Sequence, residues 1–162
     1  MRILNVLLVL VVLTTSCKKK KKSNTTTSPP ITSTSNRPSD SNREAAILRL
    51  VNDYRDSLGI STLRTTTLSQ AQALDHTNYM VDKRLMSHDN FFKRSDYLKY
   101  KGATSVSENV GKGYLTAQGV VKGWLKSIKH KAAIESNATH TSIASIQDAN
   151  GIWYDTQLFI NF

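Results

Sequence analysis

TSIASIQDANGIWYDTQLFINF, which spans residues 141–162, predicts a β-hairpin. Thr141 to Gln147 alternates and contains isoleucines, as a strand does, and Ile152 to Phe162 is a second strand that is rich in aromatics. The residues between the two strands end in Asn150-Gly151, a pair that favours the tight turn of a hairpin. The end of the chain is therefore expected to form antiparallel sheet.

The residues before the hairpin have helical spacing. Ser41-Asn42-Arg43-Glu44 has the form of a capping box, and apolar residues recur after it at helical intervals as far as Gly59, a good C′ residue. A second helix is predicted over residues 68–85 with Thr67 as its N-cap, and a short third helix over residues 91–100.

Residues 103–111 read as extended structure, and Thr116 is expected to cap a further helix. The apolar residues on one side of that helix are Val120, Val121, Trp124, Leu125 and Ile128. A run of helices followed by a hairpin predicts an α+β fold, in which helices cover an antiparallel sheet. The length of the chain, 162 residues, suits one compact domain, which we place at residues 43–162.

The first residues predict export. Met1-Arg2 is followed by an apolar run from Ile3 to Leu13, which is too short to span a membrane as a helix and fits the apolar region of a signal peptide. The next residues, Thr14-Thr15-Ser16-Cys17, resemble a lipobox. We therefore interpret residues 1–16 as a signal peptide and Cys17 as a lipidated mature N-terminus. The alternative is a chance thiol that follows an ordinary signal peptide.

Residues 17–42 are expected to connect this anchor to the domain. Lys18 to Lys22 would be attracted to anionic head groups at a membrane, or would only extend a solvated tether. Eleven of residues 23–42 are Ser or Thr, and such a segment buries too little apolar surface to become ordered, so we expect a disordered linker. Residues 1–42 hold seven of the 22 basic residues against one acid, so the strong charge belongs to the tail and does not indicate a nucleic-acid ligand.

Five stretches of the domain form a recognisable ordered set. They are Ile47-Leu-Arg-Leu-Val-Asn-Asp-Tyr-Arg55, Met86-Ser-His-Asp-Asn-Phe91, Ser107-Glu-Asn-Val110, Trp124-Leu-Lys-Ser-Ile-Lys-His130 and Trp153-Tyr-Asp-Thr-Gln-Leu-Phe159. In this order they resemble the N-x-x-R helix, F-S-H, G-E-N-I/L, W-x-x-S-x-x-H and the closing Y-W-T-Q-x-F strand of bacterial members of the CAP superfamily. That superfamily comprises cysteine-rich secretory proteins, antigen 5 and plant pathogenesis-related proteins. Because the chain has one cysteine, Cys17, the resemblance is to the disulfide-free bacterial type.

The resemblance implies a three-layer α-β-α sandwich with a central antiparallel sheet and a surface cleft. In the family the cleft is lined by two histidines and two glutamates, which hold a divalent metal in some members. His88, Glu108 and His130 match three of these positions, and Ser127 stands where the second glutamate usually lies. One acid of the set is therefore missing.

Two neutral imidazoles and one carboxylate would suit a divalent metal such as zinc, with a position left open for water. Such a site lowers the pKa of the bound water and supports hydrolysis, with Glu108 as the candidate catalytic residue and His88 and His130 as candidate metal ligands. The residues are 20 and 22 positions apart, so only the family resemblance predicts that they meet. Without it, each histidine is an ordinary surface or capping residue, and Glu108 is an exposed acid. With it, Glu108 orients a histidine or completes the site.

Three other polar residues are weaker candidates. His76 lies away from the apolar stripe of the second helix and is interpreted as solvated, and His140 precedes a strand in a polar loop. Ser127 and His130 are three residues apart and would touch if the helix continued, but no oriented base or oxyanion hole is recognisable for a Ser-His dyad.

Three hypotheses of function follow. The first is a membrane-anchored binding module that presents the cleft to a lipid, an envelope glycan or a protein. The second is a metal-assisted hydrolase that uses the same cleft. The third is a structural envelope protein whose cleft is vestigial. The missing acid at Ser127 favours the first hypothesis.

Overall fold

The structure, a computed structural model, describes residues 37–162. The predicted signal peptide 1–16, Cys17, Lys18 to Lys22 and the greater part of the linker lie outside the described residues. None of the helices within 37–162 is long and apolar enough to cross a membrane. In chain order the elements are α1 (Ser41–Ser57), β1 (Arg64–Thr65), a 3₁₀ turn (Thr67–Ser69), α2 (Gln70–Lys83), α3 (Phe91–Tyr100), β2 (Ser105–Lys112), α4 (Ala117–Lys126), α5 (Ile128–Ile134), β3 (His140–Gln147) and β4 (Trp153–Asn161).

The four strands form one sheet in the order β1-β3-β4-β2, so β2 is an edge strand. The predicted C-terminal hairpin is confirmed, because β3 and β4 pair antiparallel from His140↔Ile160 to Gln147↔Trp153. β2 also pairs antiparallel with β4. The sheet is mixed rather than wholly antiparallel, however, because β1 runs parallel to β3. β1 has only two residues, which is too short for an alternating pattern to reveal it.

Helices cover both faces of the sheet, as the three-layer prediction requires. Consecutive residues of a strand point to opposite faces, and the core is divided accordingly. On one face α1, α4 and α5 pack around Ile47, Val120, Trp124 and Phe159. On the other face α2 and α3 cover two apolar clusters, one that includes Leu98 and Leu158 and one that includes Met80 and Tyr154.

Helix α1 begins one residue earlier than the capping box predicts. Its N-cap is Asp40, whose carboxylate accepts a hydrogen bond from the backbone N–H of Arg43. The preceding Ser39 is fixed as well, since its hydroxyl contacts Glu44 and accepts a hydrogen bond of 2.7 Å from the backbone N–H of Ser145. Ser39 and Asp40, which are predicted to belong to the linker, therefore form hydrogen bonds with the domain.

Two further boundaries differ from the sequence prediction. Thr66, not Thr67, provides the cap before the second helix, because its hydroxyl accepts from the N–H of Leu68 and a 3₁₀ turn precedes α2. The predicted fourth helix breaks at Ser127, whose backbone is extended (ψ 122°), and is thereby divided into α4 and α5. The condition for the Ser127–His130 dyad, a continuous helix, is therefore not met.

Candidate functional site

Glu108 is the centre of the site and lies on the edge strand β2. It points to the α2/α3 face of the sheet, where it is 8% exposed. Arg94 of α3 holds it with two hydrogen bonds, from Nε to Oε2 at 2.8 Å and from Nη2 to Oε1 at 2.9 Å. The Nη1 of Arg94 also donates to the carbonyl of Asp89 at 2.8 Å. Because the pair is bidentate and buried, the carboxylate is fixed in position and its charge is compensated.

His88 lies in the loop between α2 and α3 and shares the same carboxylate. Its Nδ1 is 2.9 Å from Oε1 of Glu108, and its side chain is 49% exposed. The hydrogen bond requires the proton on Nδ1, since an ionised carboxylate only accepts. The Nε2 of His88 has no hydrogen bond to any residue of the described part of the chain, so in the neutral ring this nitrogen keeps a free lone pair.

His130 approaches His88 from the other layer of the fold. The two ring centroids are 6.2 Å apart with an angle of 47° between the planes. The backbone carbonyl of His130 accepts a hydrogen bond of 3.0 Å from the amide of Asn109, the residue that follows Glu108. Burial lowers the pKa of His130, and the neighbouring His88 adds to the effect, so its imidazole is neutral near pH 7. The structure thus brings together the three residues that the resemblance predicted.

His76 belongs to this site, and its interpretation as a solvated residue is wrong. It is 2% exposed, its Nε2 lies 2.8 Å from the carbonyl of Ser87 and 3.8 Å from Oε1 of Glu108, and its ring stacks on Tyr79. Burial lowers its pKa more than the charge of Glu108 raises it. A signal was available in the sequence, because His76 lies three residues after Ala73, which is buried on the same helix face.

Arg94 is the second site residue that the sequence analysis missed. It lies four residues before Leu98, and both side chains face the interior from α3. An arginine four residues from a buried leucine is the signal that could have found it, although its partner could not be named from the sequence. His140, in contrast, opens β3 and packs edge-on against Phe162, with ring centroids 5.2 Å apart.

The donor set does not match a three-ligand catalytic zinc site. Within residues 37–162, no group of three or more His, Cys, Asp or Glu side chains is arranged to hold a metal. Glu108 already uses both oxygens for Arg94 and His88, and Ser127 replaces the second acid. Two imidazoles remain, one fewer protein ligand than catalytic zinc sites use. Zinc binding at His88 and His130 stays a prediction.

The geometry is suited to hydrogen bonding with a ligand. The rings of His88 and His130 present nitrogens that have no partner among the described residues, and burial keeps His130 neutral. The neutral ring of His130 has one donor and one acceptor nitrogen, and His88 adds its Nε2, so the pair complements hydroxyl and amide groups. The carboxylate behind them acts as an orienting group for His88.

Comparisons with known proteins agree with this fold. The model of a family described as "CAP: Cysteine-rich secretory protein family" matches residues 48–158. A curated relative, the "Uncharacterized protein YkwD" of Bacillus subtilis (strain 168), is 30% identical over 134 residues. That match covers 80% of this chain and 51% of the relative, so the chain spans about half the length of the relative.

Solved structures have the same fold. An outer surface protein from Borrelia burgdorferi superimposes with a TM-score of 0.68 at 18% identity, over 75% of this chain and 93% of that protein. An extracellular protein containing an SCP domain from Bacillus anthracis str. Ames gives a TM-score of 0.63 at 21% identity, over 75% of this chain and 41% of that protein. At these identities the likeness concerns the fold alone.

Proposed function

Since the chain belongs to the CAP family of cysteine-rich secretory proteins, we propose that it is an exported binding module. In this proposal a lipid on Cys17 holds it at a bacterial membrane, and a cleft formed by His88, Glu108 and His130 receives the ligand. The ligand classes that fit are a lipid head group, an envelope glycan or a protein, because each offers hydroxyl or amide groups to the imidazole nitrogens.

One observation carries the choice of a binding module over an enzyme. Both carboxylate oxygens of Glu108 are held in hydrogen bonds, by the guanidinium of Arg94 and by the ring of His88. A general base needs a carboxylate that can reach and accept a proton from the reacting group. A carboxylate engaged on both oxygens is instead suited to fixing the orientation of His88. Many binding sites contain such a residue, which does not contact the ligand itself but holds in place a residue that does.

A metal-assisted hydrolase is the second candidate. It is favoured by the 6.2 Å separation of the two imidazole centroids and by the free Nε2 of His88. In that case the metal would supply Lewis-acid chemistry and an activated water, His88 and His130 would bind it, and Glu108 would orient His88.

The cleft is tested by replacing both rings. We expect the double variant His88→Ala/His130→Ala to lose retention on purified envelope glycan or on vesicles of zwitterionic bacterial lipid by about tenfold or more, because two hydrogen-bonding groups at about 1 kcal/mol each are removed. His140→Ala is the matched control and should bind like the wild type. Retention is measured by co-sedimentation with each material.

Zinc titration by calorimetry of the same three proteins separates the hypotheses. Stoichiometric zinc that is lost only in the double variant would support the hydrolase instead of the binding module. Equal retention of all three proteins on both materials, without zinc binding, would contradict the hydrolase and a lipid or glycan ligand, and would leave a protein ligand or a vestigial cleft.

The anchor is tested separately. Cys17→Ser removes the acceptor of the lipid, so we expect the protein to move from the membrane fraction to the soluble fraction in a high-salt wash, which screens the attraction of lysines to head groups, whereas the wild type stays with membranes. Immunoblots of fractionated cells measure the distribution, and Ser16→Ala serves as a control that keeps the thiol. A Cys17→Ser protein that fractionates like the wild type would show that lipidation is not what holds the chain.

A further inference from the structure

The outward face of α3 is unusually rich in aromatic side chains for a surface helix. Arg94, Ser95 and Leu98 face inward, while Phe92, Tyr97 and Tyr100 are 63%, 40% and 83% exposed. They are three of the eleven large apolar or aromatic side chains that are exposed in residues 37–162, and all three lie on this one helix. Single exposed apolar residues are ordinary, but a group of them on one helix indicates an interaction surface.

Lysines accompany the aromatic rings on the same face. The ammonium of Lys93 lies 6.0 Å from the ring centre of Phe92, and that of Lys101 lies 5.7 Å and 5.3 Å from the ring centres of Tyr97 and Tyr100. Lys93, Lys99 and Lys101 form no ion pair with any described residue, and Asp96 is the one acid exposed on the helix. The aromatic–lysine face, defined as Phe92, Lys93, Tyr97, Lys99, Tyr100 and Lys101, is therefore apolar and positively charged at once.

We propose that the aromatic–lysine face docks onto an anionic lipid bilayer. Tyrosine has an apolar ring and a polar hydroxyl, and lysine has an apolar stem and a charged end, so both side chains suit the boundary between acyl chains and head groups. The unpaired ammonium groups complement anionic head groups, which attract each basic residue near the surface. A helix with these two components lies in the plane of the interface.

Docking in this orientation would bring the cleft to the membrane. The side chain of Arg94 projects from the inner side of α3 and binds Glu108, which in turn binds His88. Helix α3 therefore separates the aromatic–lysine face from the site. The site would then lie one helix diameter, roughly 10 Å, from the docked surface. Docking itself requires neither the lipid on Cys17 nor an intact cleft, so it can fail while the proposed function stands.

The test asks whether α3 touches lipid when the full chain is on a vesicle. In the Cys17→Ser chain, Asp96→Cys supplies one thiol in the middle of the face, and Ile128→Cys supplies one on α5, in the opposite helix layer, where the side chain is 88% exposed. A fluorophore on each thiol is measured with vesicles of phosphatidylglycerol or of phosphatidylcholine that carry a quencher in the lipid. The Ile128→Cys chain also carries Asp96→Ser, so both labelled chains lack the acid of α3. Residues 1–36 are the same in both and affect vesicle binding equally, so the difference reports α3 alone.

We expect quenching of the α3 probe on the anionic vesicles and little quenching of the α5 probe. Changing Lys93, Lys99 and Lys101 to Glu should reduce the ratio of docked to undocked protein by about a hundredfold, because each charge near the surface contributes about 1 kcal/mol. The matched control changes Lys122, Lys126 and Lys129 to Glu, an equal alteration of net charge on exposed positions of α4 and α5, and should reduce the ratio less than about threefold.

A second variant tests the apolar component. Phe92→Ser/Tyr97→Ser/Tyr100→Ser keeps the lysines and should also abolish quenching, and circular dichroism verifies that it folds. The proposal is overturned if both probes are quenched equally, or if the two lysine triplets have equal effects. Absence of quenching on every vesicle would also overturn it and would leave the face to a protein partner.

Discussion

Arg55→Ala is expected to lower the free energy of unfolding by about 4 kcal/mol or more, which is a large part of the stability of a domain this size. Arg55 is 1% exposed, and its guanidinium donates to the carbonyls of Ser61, Ile134, Ser136 and Ala138 at 2.8, 2.6, 2.9 and 3.0 Å. Alanine would leave these acceptors without a donor, and each unsatisfied buried group costs about 1–3 kcal/mol.

The position of Arg55 explains the size of this effect. The residue lies near the end of α1 and connects that helix to the chain that leads from α5 to β3. Burial lowers its pKa, because the charged group loses contact with water. No carboxylate compensates the charge within the described residues, so the four carbonyl dipoles do so.

Two controls make the measurement specific. Arg49 lies on the same helix with its side chain 66% exposed, so Arg49→Ala should change the free energy of unfolding by less than about 0.5 kcal/mol. Arg55→Lys keeps the charge but lacks the planar set of N–H donors of the guanidinium. Its free energy of unfolding should therefore fall by more than half of the decrease expected for Arg55→Ala. Urea unfolding gives all three values. An Arg55→Ala protein as stable as Arg49→Ala would contradict the prediction.

Glu108→Ala is expected to destabilise the domain by about 3–5 kcal/mol, because it leaves the guanidinium of Arg94 buried without its carboxylate. The side chain of Arg94 is 8% exposed, so water cannot replace the lost partner freely. His88 would lose the hydrogen bond that fixes its tautomer, and His76 would lose the nearest negative charge. We therefore expect the main defect of Glu108→Ala to be a loss of stability.

A double variant separates the loss of the pair from the loss of the site. Replacing both Glu108 and Arg94 with Leu removes the unpaired charge, and the cost should be clearly smaller than the sum of the two single changes. Urea midpoints and slopes for the wild type, Glu108→Leu, Arg94→Leu and the double variant complete the cycle. If Glu108→Ala is as stable as the wild type and loses only ligand binding or an activity, the carboxylate is free to act and the orienting role assigned to it is wrong.

Local signals predicted most of the architecture. The Asn150-Gly151 turn, the helix over 91–100 and the cap at Thr116 each depend on residues close together in the chain, and the structure confirms them. The family resemblance supplied the three-layer arrangement and the convergence of His88, Glu108 and His130, which spacing alone did not predict.

The parts that escaped prediction depend on contacts between distant residues. Arg94 and His76 are polar residues on amphipathic helices, and sequence reasoning assigned His76 to solvent because nothing nearby reveals the buried carboxylate that faces it. β1 is too short for a pattern and exists because β3 lies beside it. The break at Ser127 has no glycine or proline beside it, and the structure offers no local reason for it.

The neighbouring positions 108 and 109 make the candidate site depend on the register of strand pairing. Glu108 serves the layer of α2 and α3, and Asn109, on the opposite side of the same strand, secures the backbone of α5 beneath His130. A slip of one residue between β2 and β4 would exchange the acid and the amide between layers. Neither imidazole would then keep its support, so a misregistered molecule would not bind weakly but would have no site at all.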